Sequence, residues 1–140
     1  MERIKAQGFI AADWRHQATL PLVSLEDFFT ENVDQFSIAC NLEPHPGLKF
    51  FFDKLRQIRS RPDVQNVLAE IYEISEAEAK KEVWPYVESV YILTSADKAT
   101  VENWNNLLMA DGPCEGYKNN TTRSVPELEK GYKVWQIMWD

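Results

Sequence analysis

The chain has 140 residues and a formal net charge of −7. That length suits one folded domain with a core of its own. The negative balance excludes a general nucleic-acid binder and a protein held on an anionic membrane, since both need a surplus of Lys and Arg. Seven Phe, five Trp and five Tyr supply much of the apolar bulk,.

Residues 1–23 contain Ile4, Phe9, Ile10, Trp14, Leu20, Leu22 and Val23 without a sustained period. They read as an extended arm lying on the body, with Pro21 breaking any helix. No continuous apolar run of signal-peptide or transmembrane length occurs there or elsewhere, so the expected location is cytoplasmic. Ser24 then opens a short helix to about Asn32, with Glu26 and Asp27 at its positive end and Leu25, Phe28 and Phe29 as its apolar face.

Phe36 to Leu42 alternates, with Phe36, Ile38, Cys40 and Leu42 on one side, and predicts a strand. Glu43-Pro44-His45-Pro46-Gly47 is a turn. From there to about Ser60, Leu48, Phe51, Phe52, Leu55 and Ile58 recur at helical spacing, and Pro62 stops the helix. Val64–Ile74 predicts a strand, with Val67, Ala69 and Ile71 on one face and Leu68, Glu70 and Tyr72 on the other. Ser75–Val83 is an acidic connector. Trp84-Pro85-Tyr86 leads into the strand Val87–Thr94, where Val90 and Ile92 oppose Val87, Ser89, Tyr91 and Leu93. Ser95 is placed to cap a helix to about Met109, with Val101, Trp104 and Leu108 facing inward. Ala110–Lys130 is a long connection with Gly112-Pro113, Gly116 and Pro126, and connections of that length are usually functional or disordered. Tyr132–Trp139 closes the chain as an aromatic-rich strand.

After the arm and short helix of residues 1–35, the order over 36–140 is β-α-β-β-α-β. The expected fold class is therefore α+β: a ferredoxin-like antiparallel sheet with helices on one face, in a single domain spanning 1–140. In that arrangement the strands beginning at Val64 and Tyr132 are edges. The helix-covered face takes Ile38, Cys40, Val67, Ala69, Ile71, Val90, Ile92, Trp135, Ile137 and Trp139. The other face carries Glu70, Tyr72, Ser89, Tyr91, Leu93, Tyr132, Val134, Gln136 and Met138. It is too apolar to stand open to water, and the arm, a second copy or a ligand should cover it.

Chemistry-bearing residues are few. Cys40, Glu43 and His45 lie within six residues and form the sharpest candidate for a Cys/His nucleophile pair. Against that stands a packed thiol beside a turn histidine, and no metal-ligand spacing accompanies them. Asp13-Trp14-Arg15-His16 is a second, fainter cluster. Glu70 and Glu73 fall on opposite faces of one strand, so they do not form an acid–base pair; with Glu76 and Glu78 they read as an acidic edge that resists strand addition. Tyr72, Trp84, Tyr86, Tyr91, Tyr117, Tyr132 and Gln136 are the candidate binding residues, gathered at the second sheet face and under the long connection. There is no glycine-rich dinucleotide loop, P-loop or nucleophile-elbow serine, and no cofactor or metal is implied. Cys40 and Cys114 read as free thiols of a reducing compartment. The sequons at Asn119 and Asn120 signify a polar loop.

At SIACNLEPHPGL, RPDVQNVLAEIYEI, VYILTS and GYKVWQIMWD the chain resembles a family of small uncharacterised bacterial proteins, over roughly residues 20–140. The resemblance implies a bacterial cytoplasmic origin and a single compact domain, and brings no activity, cofactor or catalytic residue. Two functions fit the sequence. The favoured one is a non-enzymatic protein that binds a protein partner or itself, in an adaptor or immunity-like role, with no nucleic acid and no membrane. The alternative is a small-ligand enzyme of the dimeric α+β barrel type, in which two open faces enclose a substrate between Tyr72, Tyr91 and Gln136.

Overall fold

The computed structural model describes residues 22–73, 85–117 and 125–139, and only the backbone of Tyr72 and Glu73. The arm before Pro21, the connector at 75–83, Trp84, the Asp13–His16 cluster and the two sequons lie outside the described residues.

Leu22–Ser24 forms β1, and the chain turns at once into α1, Leu25–Phe29. The Ser24 hydroxyl accepts the Asp27 N–H at 3.0 Å, and Glu26 and Asp27 occupy the first turn, where the exposed N–H groups favour negative charge,. The helix ends early, at Phe29, and Glu31 takes a left-handed φ of 66°. Leu48–Arg59 forms α2, with Leu48, Phe51, Leu55 and Ile58 buried along one stripe,. Gly47 opens it at φ 95°, a conformation that favours glycine; a Cβ there would also sit 3.1 Å from Gln35 Oε1,. That same oxygen accepts the Leu48 N–H at 3.0 Å and replaces the missing side-chain cap,.

Val64–Glu73 (β2) and Tyr86–Thr94 (β3) are the two long strands. Lys98–Leu107 is α3, capped by the Asp97 carboxylate, which accepts the Thr100 N–H at 2.9 Å; that bond holds the Asp97 carboxyl below the usual carboxylate range,. Asp97, two residues past the expected Ser95, is therefore the cap. Inside the long connection Cys114–Glu115 forms a two-residue strand, β4, and Lys133–Met138 is β5.

The fold is α+β: among the described residues, a five-stranded antiparallel sheet in the order β1-β2-β3-β5-β4, with three helices. This is not the ferredoxin-like order. The Phe36–Leu42 stretch is not a strand, and only Ile38 makes an isolated parallel bridge, to Val87. Ala39 turns the chain away at φ 52°, and Cys40 is exposed rather than inward. With that strand absent, β5 pairs directly with β3, and Val64–Glu73 is interior because Leu22–Ser24 pairs along its outer side.

One core joins the helices to one side of the sheet. Phe28 of α1, Phe51 and Leu55 of α2 and Val101 of α3 meet Val67, Ala69, Val90, Ile92, Trp135 and Ile137. Val87 also belongs to this core, against the strict alternation expected of its strand. Glu70 faces Ser89 while Ile71 faces Val87, so Glu88 is an extra residue in β3. Such a bulge flips the alternation locally and lets Val87 and Val90 point the same way.

Candidate functional site

Part of the expected second sheet face, Glu70, Ser89, Tyr91, Leu93, Val134 and Gln136, is buried. Leu68, Tyr91, Leu93 and Val134 form a second, smaller cluster, with Leu22 of β1 and Tyr117 packed against it. The register explains who meets whom: Leu68 lies opposite Tyr91, Tyr91 opposite Gln136, and Gln136 opposite Cys114. Polar groups are threaded through this cluster. The Tyr91 hydroxyl donates to Glu70 Oε2 at 3.2 Å, and Gln136 Nε2 donates to Ser89 Oγ at 3.0 Å. Tyr91 is 0% exposed, Glu70 2% and Gln136 6%. Buried groups of this kind persist only when paired, and the cross-strand register supplies these pairs.

Tyr117, directly after β4, tilts its ring over Tyr91 at 4.9 Å. Its hydroxyl oxygen is buried with no hydrogen-bond partner, and burial pushes the phenol above its usual range,. The Gly116 N–H holds this turn on the sheet by donating to the Val134 carbonyl at 2.8 Å. Tyr132 sits apart from the cluster. Its hydroxyl reaches the Pro62 carbonyl at 3.4 Å at the far end of the strands. Tyr86 faces Glu73 in the register, at the opposite end of β3. The structure thus brings Tyr91, Tyr117 and Gln136 together and separates Tyr86 and Tyr132 from them. The Tyr72 side chain and Trp84 lie outside the described residues.

Cys40, Glu43 and His45 do not assemble as a catalytic group. The Gly47 N–H donates to His45 Nδ1 at 3.0 Å, so that nitrogen is an acceptor and carries no proton,. Nε2 is then the protonated nitrogen, and donates to the Ile38 carbonyl at 2.7 Å. Both ring nitrogens are spent on backbone, and the ring packs against Phe36 and Phe51 at 5.0 and 5.6 Å. His45 ties the Ile38 bridge to the start of α2. Cys40 and Glu43 are exposed on the same turn. Among the described residues no group of three His, Cys, Asp or Glu is placed to hold a metal, and no helix is long and apolar enough to cross a membrane.

A different surface carries exposed apolar groups. Where the loop after α1 meets α2, a groove of about 280 Å³ is lined by Phe29, Asn32, Gln35, Leu48, Lys49 and Phe52. Phe29 and Phe52 stack face to face at 4.8 Å and 12°. The loop that supplies Asn32 and Gln35 also carries Val33, 85% exposed, and Phe36, 56% exposed. Arg56 covers the Phe52 ring at 4.6 Å from its centroid,. The loop is held by local bonds. Asn32 donates to the Ser37 hydroxyl at 2.9 Å, and its own carbonyl oxygen accepts the Asp34 N–H. Glu26 and Arg59 clamp α1 to α2 through two bonds of 2.7 and 2.6 Å, which hold the Glu26 carboxyl below its usual range,.

The alternation places Phe36 on the same strand side as Ile38, and Val33 falls between the expected helix and strand with no assignment. Sequence reasoning therefore missed this surface. The available signal was two large apolar residues, Val33 and Phe36, inside a stretch rich in Asp, Asn and Glu, where turn formation favours exposure.

The chain belongs to the Uncharacterized protein YfbO family, whose match spans residues 1–137. It is 32% identical over 142 aligned positions to a protein of Escherichia coli strain K12 called "Uncharacterized protein YfbO", covering 100% of this chain and 98% of that relative. No solved structure matches the chain.

Proposed function

We propose that this is a non-enzymatic protein-binding protein, acting in the cytoplasm as a single domain, and that it makes contact through the α1–α2 surface. The observation that carries the reading is the contrast in exposure: Val33 and Phe36 face solvent beside an apolar groove, while the tyrosine face is closed within one chain. Exposed apolar side chains beside a groove suit a partner contact, which needs a desolvated anchor and a polar rim. The burial of Tyr91 and Gln136 stands against the barrel enzyme, since two copies meeting at that face would find no accessible wall for a substrate cavity.

The test is capture by the tagged protein in Escherichia coli, whose own relative is similar along its whole length. Wild type and a Phe36→Glu variant are compared at equal, folded abundance. The expected outcome is a partner, another protein or a second copy of the chain, retained by wild type and lost by the variant. Retention by both would remove the α1–α2 surface from the reading.

A further inference from the structure

The α1–α2 surface holds complementary features side by side. Val33 projects from the loop, and the groove lined by Phe29, Leu48 and Phe52 lies next to it. The rim also carries both signs of charge. Glu31 is exposed on the loop, and the Lys49 side chain, on the groove, is 90% exposed. Lys49 pairs with Asp53 one turn on, and a solvent-exposed pair of that kind is held weakly enough to exchange partners,. A two-fold interface requires one patch to be complementary to itself, so that what residue i of one copy contacts in residue j of the other is repeated in reverse.

We propose that the partner at this surface is a second copy of the chain, packed about a two-fold axis between loop and groove. Val33 of each copy enters the groove of the other, and Glu31 of each meets Lys49 of the other. The proposal rests on the α1–α2 surface being the contact surface, and it names what that surface binds. Because each copy carries a formal charge of −7, the copies repel at long range. Association therefore relies on short-range apolar contact and on the two local ion pairs, and added salt weakens the repulsion.

Sedimentation equilibrium of the full chain over a wide concentration range reads this directly. Wild type should show a monomer–dimer equilibrium, and Val33→Glu should weaken it by roughly tenfold or more. Glu31→Lys and Lys49→Glu should each weaken it, while the double variant Glu31→Lys/Lys49→Glu should restore it, because the swapped charges again face opposite partners. The unfolding midpoint of each variant confirms that it is folded. A chain that stays monomeric at every concentration overturns the proposal; so does a dimer that Val33→Glu leaves intact or that the charge swap fails to restore. A monomer that still captures another protein through Phe36 leaves the α1–α2 reading standing and defeats only the second-copy partner.

Discussion

On the helix side of the sheet, Val67, Ala69, Val90, Ile92 and Ile137 meet the apolar stripes of three helices. On the opposite side, alternate residues of the same strands meet one another through a carboxylate, two hydroxyls and an amide as well as through Leu68, Leu93 and Val134. Both sides are buried, yet they gain stability differently. The helix side depends on volume and close packing. The tyrosine side depends on polar groups finding one another, and each is costly to leave unpaired. A face of the second kind resembles a ligand site in composition while serving as a second core, so aromatic and polar content alone does not locate function.

Three substitutions probe that contrast, from the largest expected effect down. Phe51→Ala, at a ring with no exposed surface that meets Trp139 edge-on at 5.5 Å, should cost about 3–5 kcal/mol in denaturant unfolding,. A loss below about 1 kcal/mol would mean the helix side is not a close-packed core. Tyr91→Phe keeps the ring and removes the donor to Glu70, and should cost about 1–3 kcal/mol,. If it is neutral, the polar pairing contributes nothing and the two faces differ less than their chemistry suggests.

Glu26→Gln, at the partly exposed clamp to Arg59, should cost under about 1 kcal/mol near neutral pH, reduced by solvent screening,. Its sign with pH is fixed. Arg59 lowers the folded-state pKa of Glu26, so the carboxylate stabilises above its ordinary range, and that contribution fades as the pH falls through the lowered value,. Wild type and variant should converge in acid. A gap that widens in acid would contradict the clamp.

Much of the fold was legible in the sequence. The period-2 pattern placed Ala69, Val90 and Ile137 on the helix side and Glu70, Ser89, Tyr91 and Gln136 opposite, because half-buried strands leave a strong alternation,. It failed where a turn imitates that alternation. FSIACNL reads as a strand, but Asp34 accepts the Phe36 N–H, Ala39 is left-handed, and only Ile38 bridges to the sheet. Neither the left-handed Ala39 nor the Glu88 bulge has a composition signature. The edge assignments failed because the short strands Leu22–Ser24 and Cys114–Glu115, which flank Val64–Glu73 and Lys133–Met138, are too brief to leave an alternation of their own,. The alternation found Leu68, Tyr91, Leu93 and Val134 of the second cluster, but it also placed Tyr132 there, which sits apart at Pro62. The seating of Tyr117 on Tyr91 and the exposure of Val33 depend on how loops return to the body, which local pattern does not encode,.

The comparison that matters for function lies between the buried tyrosine face and the exposed loop beside α2. A photo-crosslinking amino acid placed in turn at Val33 and at Tyr117, in the full chain expressed in Escherichia coli, compares them in one experiment. The prediction is a discrete crosslinked product from position 33 and none from position 117. Crosslinking from 117 with silence at 33 would contradict it, and would return the binding surface to the tyrosine face.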